Sequence, residues 1–486
     1  MSGDNLKKKA VSGALWTSIQ KFTTIFIQFV SGIILARLLT PQDYGCIGML
    51  SIFMLVAESI IDAGFGSALI QKKRPTQVDY STIFFWNLCM ACILYAILFF
   101  SAPAISRFYR MDLLCPVLRT QGIVLFVNAF RIVQVNQLKK QFRFKTISIV
   151  QLASTAVALA TTIVMAYNGY GVWALVTQNI LLALLPTIIY WISNRWKPIL
   201  IFSVQSFKEL FSFGFYMFLT TLVATIVNNV QGLLIGRIYN ASTMGYYSKA
   251  QNAEKLASTS ISQIIMQVSY PLYAELQDAR EKLISAIKRL TQILSYVSFP
   301  MMFILILVAK PLFILLYSAK WLPSVPYFQF LCIAGLAICL QSVNSQAIAA
   351  IGKSKAMFVW SLVKQGVGLG FMLLGLYFWG IWGLLVGMVM KSYLIYFVNA
   401  ALVSYYIGYK LRVQLFDVLP ILILSIFSFV CAYIVTLFSG LGMYSNALVS
   451  VAIYAVIYYW GSKLFKLESF GLVLDLTKSY FRKFKK

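Results

Sequence analysis

The sequence predicts an all-α polytopic membrane protein of fourteen transmembrane helices, built as two six-helix lobes in parallel repeat plus a C-terminal helix pair. Three observations predict it. Of 486 residues, 60% are hydrophobic and only 11% charged, against about 25% charged in an ordinary soluble domain. Apolar stretches of about twenty residues, each long enough to cross roughly 30 Å of hydrocarbon as a helix, recur from end to end. Basic residues also fall in alternate connections, as the positive-inside bias requires.

The expected helices of the first lobe are 11–38, 43–69, 80–102, 114–135, 147–167 and 171–193. The second lobe takes 210–237, 244–273, 290–317, 325–351, 356–378 and 380–405, and the final pair 417–438 and 444–465. Domains follow as 1–200, 201–408 and 409–486. Lys7, Lys8 and Lys9 precede a run too long and too polar for a secretory signal, so the first helix is expected to be retained.

One set of connections is basic: Lys72, Lys73 and Arg74, then Lys139, Lys140, Arg143 and Lys145, then Arg195, Lys197 and Lys208. Arg280, Lys282, Lys288 and Arg289 continue it, followed by Lys353, Lys355, Lys410 and Arg412. The opposite set is nearly bare, so both termini are expected on the cytoplasmic side of a bacterial inner membrane. The mixed charges of 274–289 suggest a surface helix, and the tail of Arg482, Lys483, Lys485 and Lys486 suggests contact with lipid headgroups.

Lys and Arg outnumber Asp and Glu by 41 to 14. Their dispersal among short connections excludes a nucleic-acid reader, which gathers its cations on one face or domain. The chain has no histidine, which removes imidazole acid–base catalysis and His-ligated metal sites. Cys89 and Cys92 alone have metal-like spacing and lack two further ligands, so neither a metal nor a cofactor is expected.

An internal repeat is visible by eye. GIILARLLTPQDYG (Gly32 to Gly45) aligns without a gap on GLLIGRIYNASTMG (Gly232 to Gly245), sharing both terminal glycines and Arg37 with Arg237. GVWALV at Gly171 echoes GIWGLL at Gly380. Six helices separate the copies, and an even number gives both the same sense in the membrane.

Several stretches resemble the polysaccharide transporter family of the multidrug/oligosaccharidyl-lipid/polysaccharide (MOP) exporter superfamily, in its Wzx flippase branch of colanic-acid-exporter type. They are ARLLTPQDYGCIGM (Ala36 to Met49), IDAGFGSALIQKK (Ile61 to Lys73), DYSTIFFWN (Asp79 to Asn87), SFGFYMFLTTL (Ser212 to Leu222), MGYYSKAQ (Met244 to Gln251) and KWLPSVPYFQFLCIAGL (Lys320 to Leu336). The resemblance implies alternating access and an undecaprenyl-diphosphate-linked oligosaccharide as cargo. It also implies membrane lipids as partners, with polysaccharide polymerase or export machinery as a further one. The rival readings are a drug or small-metabolite antiporter on the same fold and a membrane-embedded polymerase or ligase.

Candidate site residues come from charges within apolar segments, since each costs about 2.5–3.5 kcal/mol at mid-bilayer even on the lenient insertion scale. Lys21, Lys391, Lys249, Lys255 and Lys364 are expected to neutralise diphosphate or donate to sugar hydroxyls, with Gln28, Asn228 and Asn229 lining the cavity. Glu58, Asp62 and Glu254 are expected to couple transport to protonation or to pair with those cations. Arg37 and Arg237 close the list as an outer gate or as caps on helix ends.

Overall fold

A computed structural model describes residues 3–475. The basic tail of Arg482, Lys483, Lys485 and Lys486 lies outside them. In lipid, every backbone amide must find its partner within the chain, and the described residues answer with helices.

They run α1 (Gly3–Leu38), α2 (Pro41–Asp62), α3 (Phe65–Gln71), α4 (Gln77–Tyr109), α5 (Leu114–Gln121), α6 (Ile123–Lys140), α7 (Phe144–Tyr167) and α8 (Val172–Asn194). The series continues with α9 (Val204–Ile238), α10 (Ala241–Glu275), α11 (Arg280–Leu307), α12 (Ala309–Tyr317) and α13 (Ser324–Ala350). Last come α14 (Ser354–Ile407), α15 (Leu411–Phe438) and α16 (Met443–Leu464). Among the described residues, twelve helical segments are long and apolar enough to cross a membrane. Two features separate this number from the expected fourteen. The polar α10 is not among the twelve, and α14 is one 54-residue element spanning two expected helices.

That long element turns back on itself at Trp379 and Gly380, whose backbones leave the helical region. Gly380 has φ 59 and ψ −139, close to φ 52 and ψ −128 at Gly171, which opens α8. The halves pack through glycines. A Cβ on Gly375 would lie 2.1 Å from the Gly383 carbonyl oxygen, and one on Gly383 would lie 1.9 Å from that of Gly375. Small residues let helix backbones approach where lipid supplies no hydrophobic drive between helices.

Two compact units result, Met1–Ser248 and Lys249–Lys486. The boundary between the units falls inside α10, because α9 packs along α2 in the first unit. That packing uses the repeat glycines. A Cβ on Gly45 would meet the Ala241 carbonyl oxygen at 1.7 Å, and one on Gly245 would meet that of Pro41 at 1.8 Å. Each copy's glycine thus seats the first residue of the other copy's helix. The caps correspond too: Thr40 accepts from the Asp43 amide at 3.3 Å in a capping box, and Asn240 accepts from the Thr243 amide at 2.8 Å.

The second expected helix breaks at Ala63 and Gly64, both with positive φ. A Cβ on Gly64 would lie 2.4 Å from the Gly214 carbonyl oxygen, so α9 crosses at the break. Phe65, Phe84 and Leu210 are buried there, with Trp86, Phe207 and Phe211 against them. In the second unit Leu424, Ala432, Tyr454 and Tyr458 form a buried cluster where α11, α15 and α16 meet.

The connection at 274–289 differs from expectation. Residues 280–289 are the opening turns of α11 and form no separate surface helix. Arg280 explains it: its Nε donates to the Ile407 carbonyl at 2.6 Å, capping the end of α14, and Gly408 (φ 88) leaves room for the guanidinium. Other cations of the basic connections are likewise engaged. Lys140 Nζ donates to the Leu69 and Ile70 carbonyls at 3.1 and 3.3 Å, and to that of Lys72, closing α3.

Lys72 bridges Asp79 at 3.1 Å and Glu209 at 2.9 Å. Desolvation lowers the Lys72 pKa, but hydrogen bonds to Glu209 and Asp79 outweigh it and hold the group above its ordinary 10.5. Lys288 bridges Asp417 at 3.1 Å and Glu468 at 3.2 Å. Hydrogen bonds from Gln292 and Lys288 hold Glu468 below its ordinary 4.5.

Two predictions follow from this packing. Gly45→Val and Gly245→Val should each abolish a monodisperse peak of detergent-extracted protein, while Gly32→Val, which meets nothing within 4 Å, should keep it. Because the Glu468 carboxyl is depressed in the fold, its contribution is present above pH 4.5 and fades as pH falls below. Amide exchange in the opening turns of α11 should therefore quicken on acidification, and Glu468→Gln should remove that step.

Candidate functional site

The charges that sequence reading singled out divide between the two units. In the first, Glu58 lies one turn before the end of α2, and its Oε1 accepts from Asn128 Nδ2 of α6 at 2.9 Å. One turn further along α6, Arg131 is Glu58's charged neighbour. Asp62 is the last residue of α2, and its Oδ1 accepts from the Gly66 amide at 3.3 Å, so it satisfies an otherwise open donor at the start of α3.

Asp62, Arg131 and Lys139 border a polar cavity of about 440 Å³ between α2, α3, α6, α7 and α8. Arg131 is a charge within an apolar segment that sequence reading did not single out. It lies four residues inside the expected helix end at 135, and the rule that found Lys21 and Glu58, a charge within an apolar run, finds it as well.

Lys21 is half-buried on α1, while Gln28 is exposed. Gln20 holds the neighbouring face of α1 to α7, accepting from Ser148 at 3.2 Å. On α9, Asn228 is exposed and Asn229 donates to the Thr225 carbonyl of its own helix at 2.8 Å. Arg37 and Arg237 are both exposed. The Arg237 guanidinium lies over the Phe108 ring, 5.0 Å from its centroid, which is a partner other than the carbonyls expected of a cap.

In the second unit Lys249 is 5% exposed, with its ammonium 4.1 Å from the Tyr317 ring centroid and 5.6 Å from that of Trp321. Glu254, one turn and a half further along α10, is 3% exposed and lies against Gly335 and Met302. Lys255 points outward and is exposed. The two halves of α14 carry the remaining pair. Lys364 Nζ donates to Asn399 Oδ1 at 2.6 Å, and the stem of Lys391, 8% exposed, packs on Gly368.

Buried cations with aromatic or amide partners, together with buried carboxylates, make a set suited to binding and charge compensation. Cys89 and Cys92 are exposed, and no group of three metal-ligating side chains occurs among the described residues.

Residues 34–326, well over half the chain, match a family described as "Polysaccharide biosynthesis protein". The chain belongs to the polysaccharide biosynthesis protein family. Within it, the chain is similar to the teichuronic acid biosynthesis protein TuaB of Bacillus subtilis, 27% identical over 358 residues that cover 73% of this chain and 74% of TuaB. It is also similar to the lipopolysaccharide biosynthesis protein WzxC of Escherichia coli, 23% identical over 70% of this chain and 69% of WzxC.

Solved structures share the fold of this family member. The lipid II flippase MurJ in an inward closed conformation superposes with a TM-score of 0.71 over 94% of this chain and 98% of its own, at 13% identity. An inward-facing multidrug transporter of the MOP superfamily gives 0.63 over 82% and 99%, at 15% identity. The chain is thus a multi-pass membrane protein with the fold of transporters.

The Glu58 contact yields a prediction. Asn128→Leu leaves a buried carboxylate without its donor and should cost about 1–3 kcal/mol. Thermal unfolding in detergent should show the loss, and Asn128→Gln should recover part of it.

Proposed function

We propose that this chain is a flippase that carries an undecaprenyl-diphosphate-linked oligosaccharide from the inner to the outer leaflet of a bacterial inner membrane. It works by alternating access and feeds the assembly of a surface polysaccharide such as O-antigen, capsule or exopolysaccharide. The family match over residues 34–326 carries the reading, and the named roles of TuaB and WzxC in polysaccharide biosynthesis support it. The work is translocation, with no covalent step.

The chain crosses the membrane fourteen times in this reading, with α10 and both halves of α14 each counted as a pass. The like backbones of Gly171 and Gly380 and the like caps at Thr40 and Asn240 support two six-helix repeats, 1–200 and 201–408, followed by the pair in 409–486. Both termini face the cytoplasm, on the side of the basic connections.

Lys21 and Lys391, with Lys249, Lys255 and Lys364, compensate the diphosphate, and Gln28, Asn228 and Asn229 meet sugar hydroxyls. Glu58, Asp62 and Glu254 take up the protons that couple transport, and Arg37 and Arg237 mark the outer ends of their helices.

Deleting the gene tests the reading. A polyprenyl-linked oligosaccharide should accumulate on the inner leaflet, and Lys21→Ala and Lys391→Ala should fail to restore export while inserting normally. A deletion strain that accumulates no such lipid and instead becomes drug-sensitive would replace the proposal with the antiporter reading.

A further inference from the structure

The cavity of the first unit is bordered by cations and amides that the transport reading leaves unassigned. Arg131 and Lys139 lie eight residues apart on α6, two turns along one face, and both border it. Across from them stand Asp62 at the end of α2 and Gln151 on α7, with Asn136 beside Lys139. Tyr190 of α8 completes the titratable groups that border the space.

The hydrogen bonding of these groups points to a missing ligand. Among the described residues, the Arg131 guanidinium makes no hydrogen bond or ion pair within 4 Å, and the side chains of Lys139, Asn136 and Gln151 have no hydrogen-bond partner. Arg131 is permanently charged and carries five donors in a planar fork. Its nearest carboxylate, Glu58, does not border the cavity and is engaged by Asn128. Asn136 is buried without a partner for its amide, and buried donors in native proteins find acceptors; with Arg131 and Gln151 half-buried and Lys139 at the exposed rim, the group is arranged around something that supplies them.

Size and chemistry narrow the choice. About 440 Å³ falls in the range of small-molecule pockets, roughly 300–1,000 Å³, and a single chloride or inorganic phosphate would leave most of it empty. Two cations facing one carboxylate call for an anion. Asp62 and the two amides call for hydroxyl groups beside that anion. Ile70, Ile132 and Val135 add an apolar wall.

We propose that this cavity is a binding site for a hydroxylated phosphodiester, the chemistry of a glycerophosphate headgroup, taken from an anionic phospholipid or as the free glycerol phosphate. Arg131 holds the phosphate through its fork, Lys139 adds the second charge, and Asp62 accepts from a ligand hydroxyl. The site lies within one unit and shares only Asp62 with the transport reading above.

The full chain in nanodiscs tests it through the reactivity of Arg131 toward phenylglyoxal, read by peptide mass spectrometry with Arg119 as internal reference. Modification of Arg131 in phosphatidylglycerol discs should be at least about tenfold slower than in phosphatidylcholine discs, corresponding to occupancy by a ligand held well above its dissociation constant. Protection in phosphatidylcholine discs on adding glycerol 3-phosphate would assign the free form, and protection by phosphatidylglycerol alone would assign the lipid. Equal rates in all three conditions would mean that the cavity holds only water and would overturn the proposal.

Two variants extend the test. Arg131→Gln should lose the phosphatidylglycerol that survives into native mass spectra. Gly66→Leu, whose side chain would enter the space beside Asp62 and Asn136, should lose it with Arg131 intact. Retention unchanged in both variants would overturn the site even if export still depends on the chain, and export that survives deletion of the gene, with protection of Arg131 intact, would overturn the transport reading alone.

Discussion

The constraint beneath this structure is that backbone amides and carbonyls in hydrocarbon must be satisfied by the chain itself. A continuous helix does so automatically, and each interruption needs a specific repair. Asp62 receives the Gly66 amide where α2 stops, Lys140 takes the carbonyls that α3 leaves open, and Arg280 takes the last carbonyl of α14. These three charged side chains stand where helices end, and each satisfies a backbone group that its helix leaves open. The breaks are therefore as deliberate as the spans, and they bring polar side chains together inside an apolar protein.

Glycine is the other half of the same solution. Gly45 against Ala241, Gly64 against Gly214, and Gly375 against Gly383 bring carbonyl oxygens within reach of where a Cβ would stand. Helices that cannot be driven together by exclusion from water gain instead from close dispersion contact. The reciprocal seating of Gly45 and Gly245 shows why the repeated strings end on glycine: the two copies meet at those residues.

Most of the architecture was legible in the sequence, since length, apolarity and the alternation of basic connections are one-dimensional properties. The helices of the first lobe, the turn at Gly380 and the polar character of α10 all follow from them. What stayed hidden depended on partners distant in the chain. The sequence does not show that α2 stops at Asp62, nor that the Asn229 amide donates to the Thr225 carbonyl of its own helix. The sequence shows Lys249 inside a helix but not that it stands beside two aromatic rings from 68 and 72 residues away. The opening of α11 was misplaced because Arg280 looks like a loop cation, and only the end of α14 reveals its use.

The back-folded α14 has a mechanical consequence. Its two limbs are locked by interleaved glycines near the turn and by the Lys364 bond to Asn399 at the far end. A pair fastened at both ends bends little and moves as one strut. Lys364 on one limb and Lys391 on the other are therefore fixed at constant separation, and a force applied to either ammonium displaces both together.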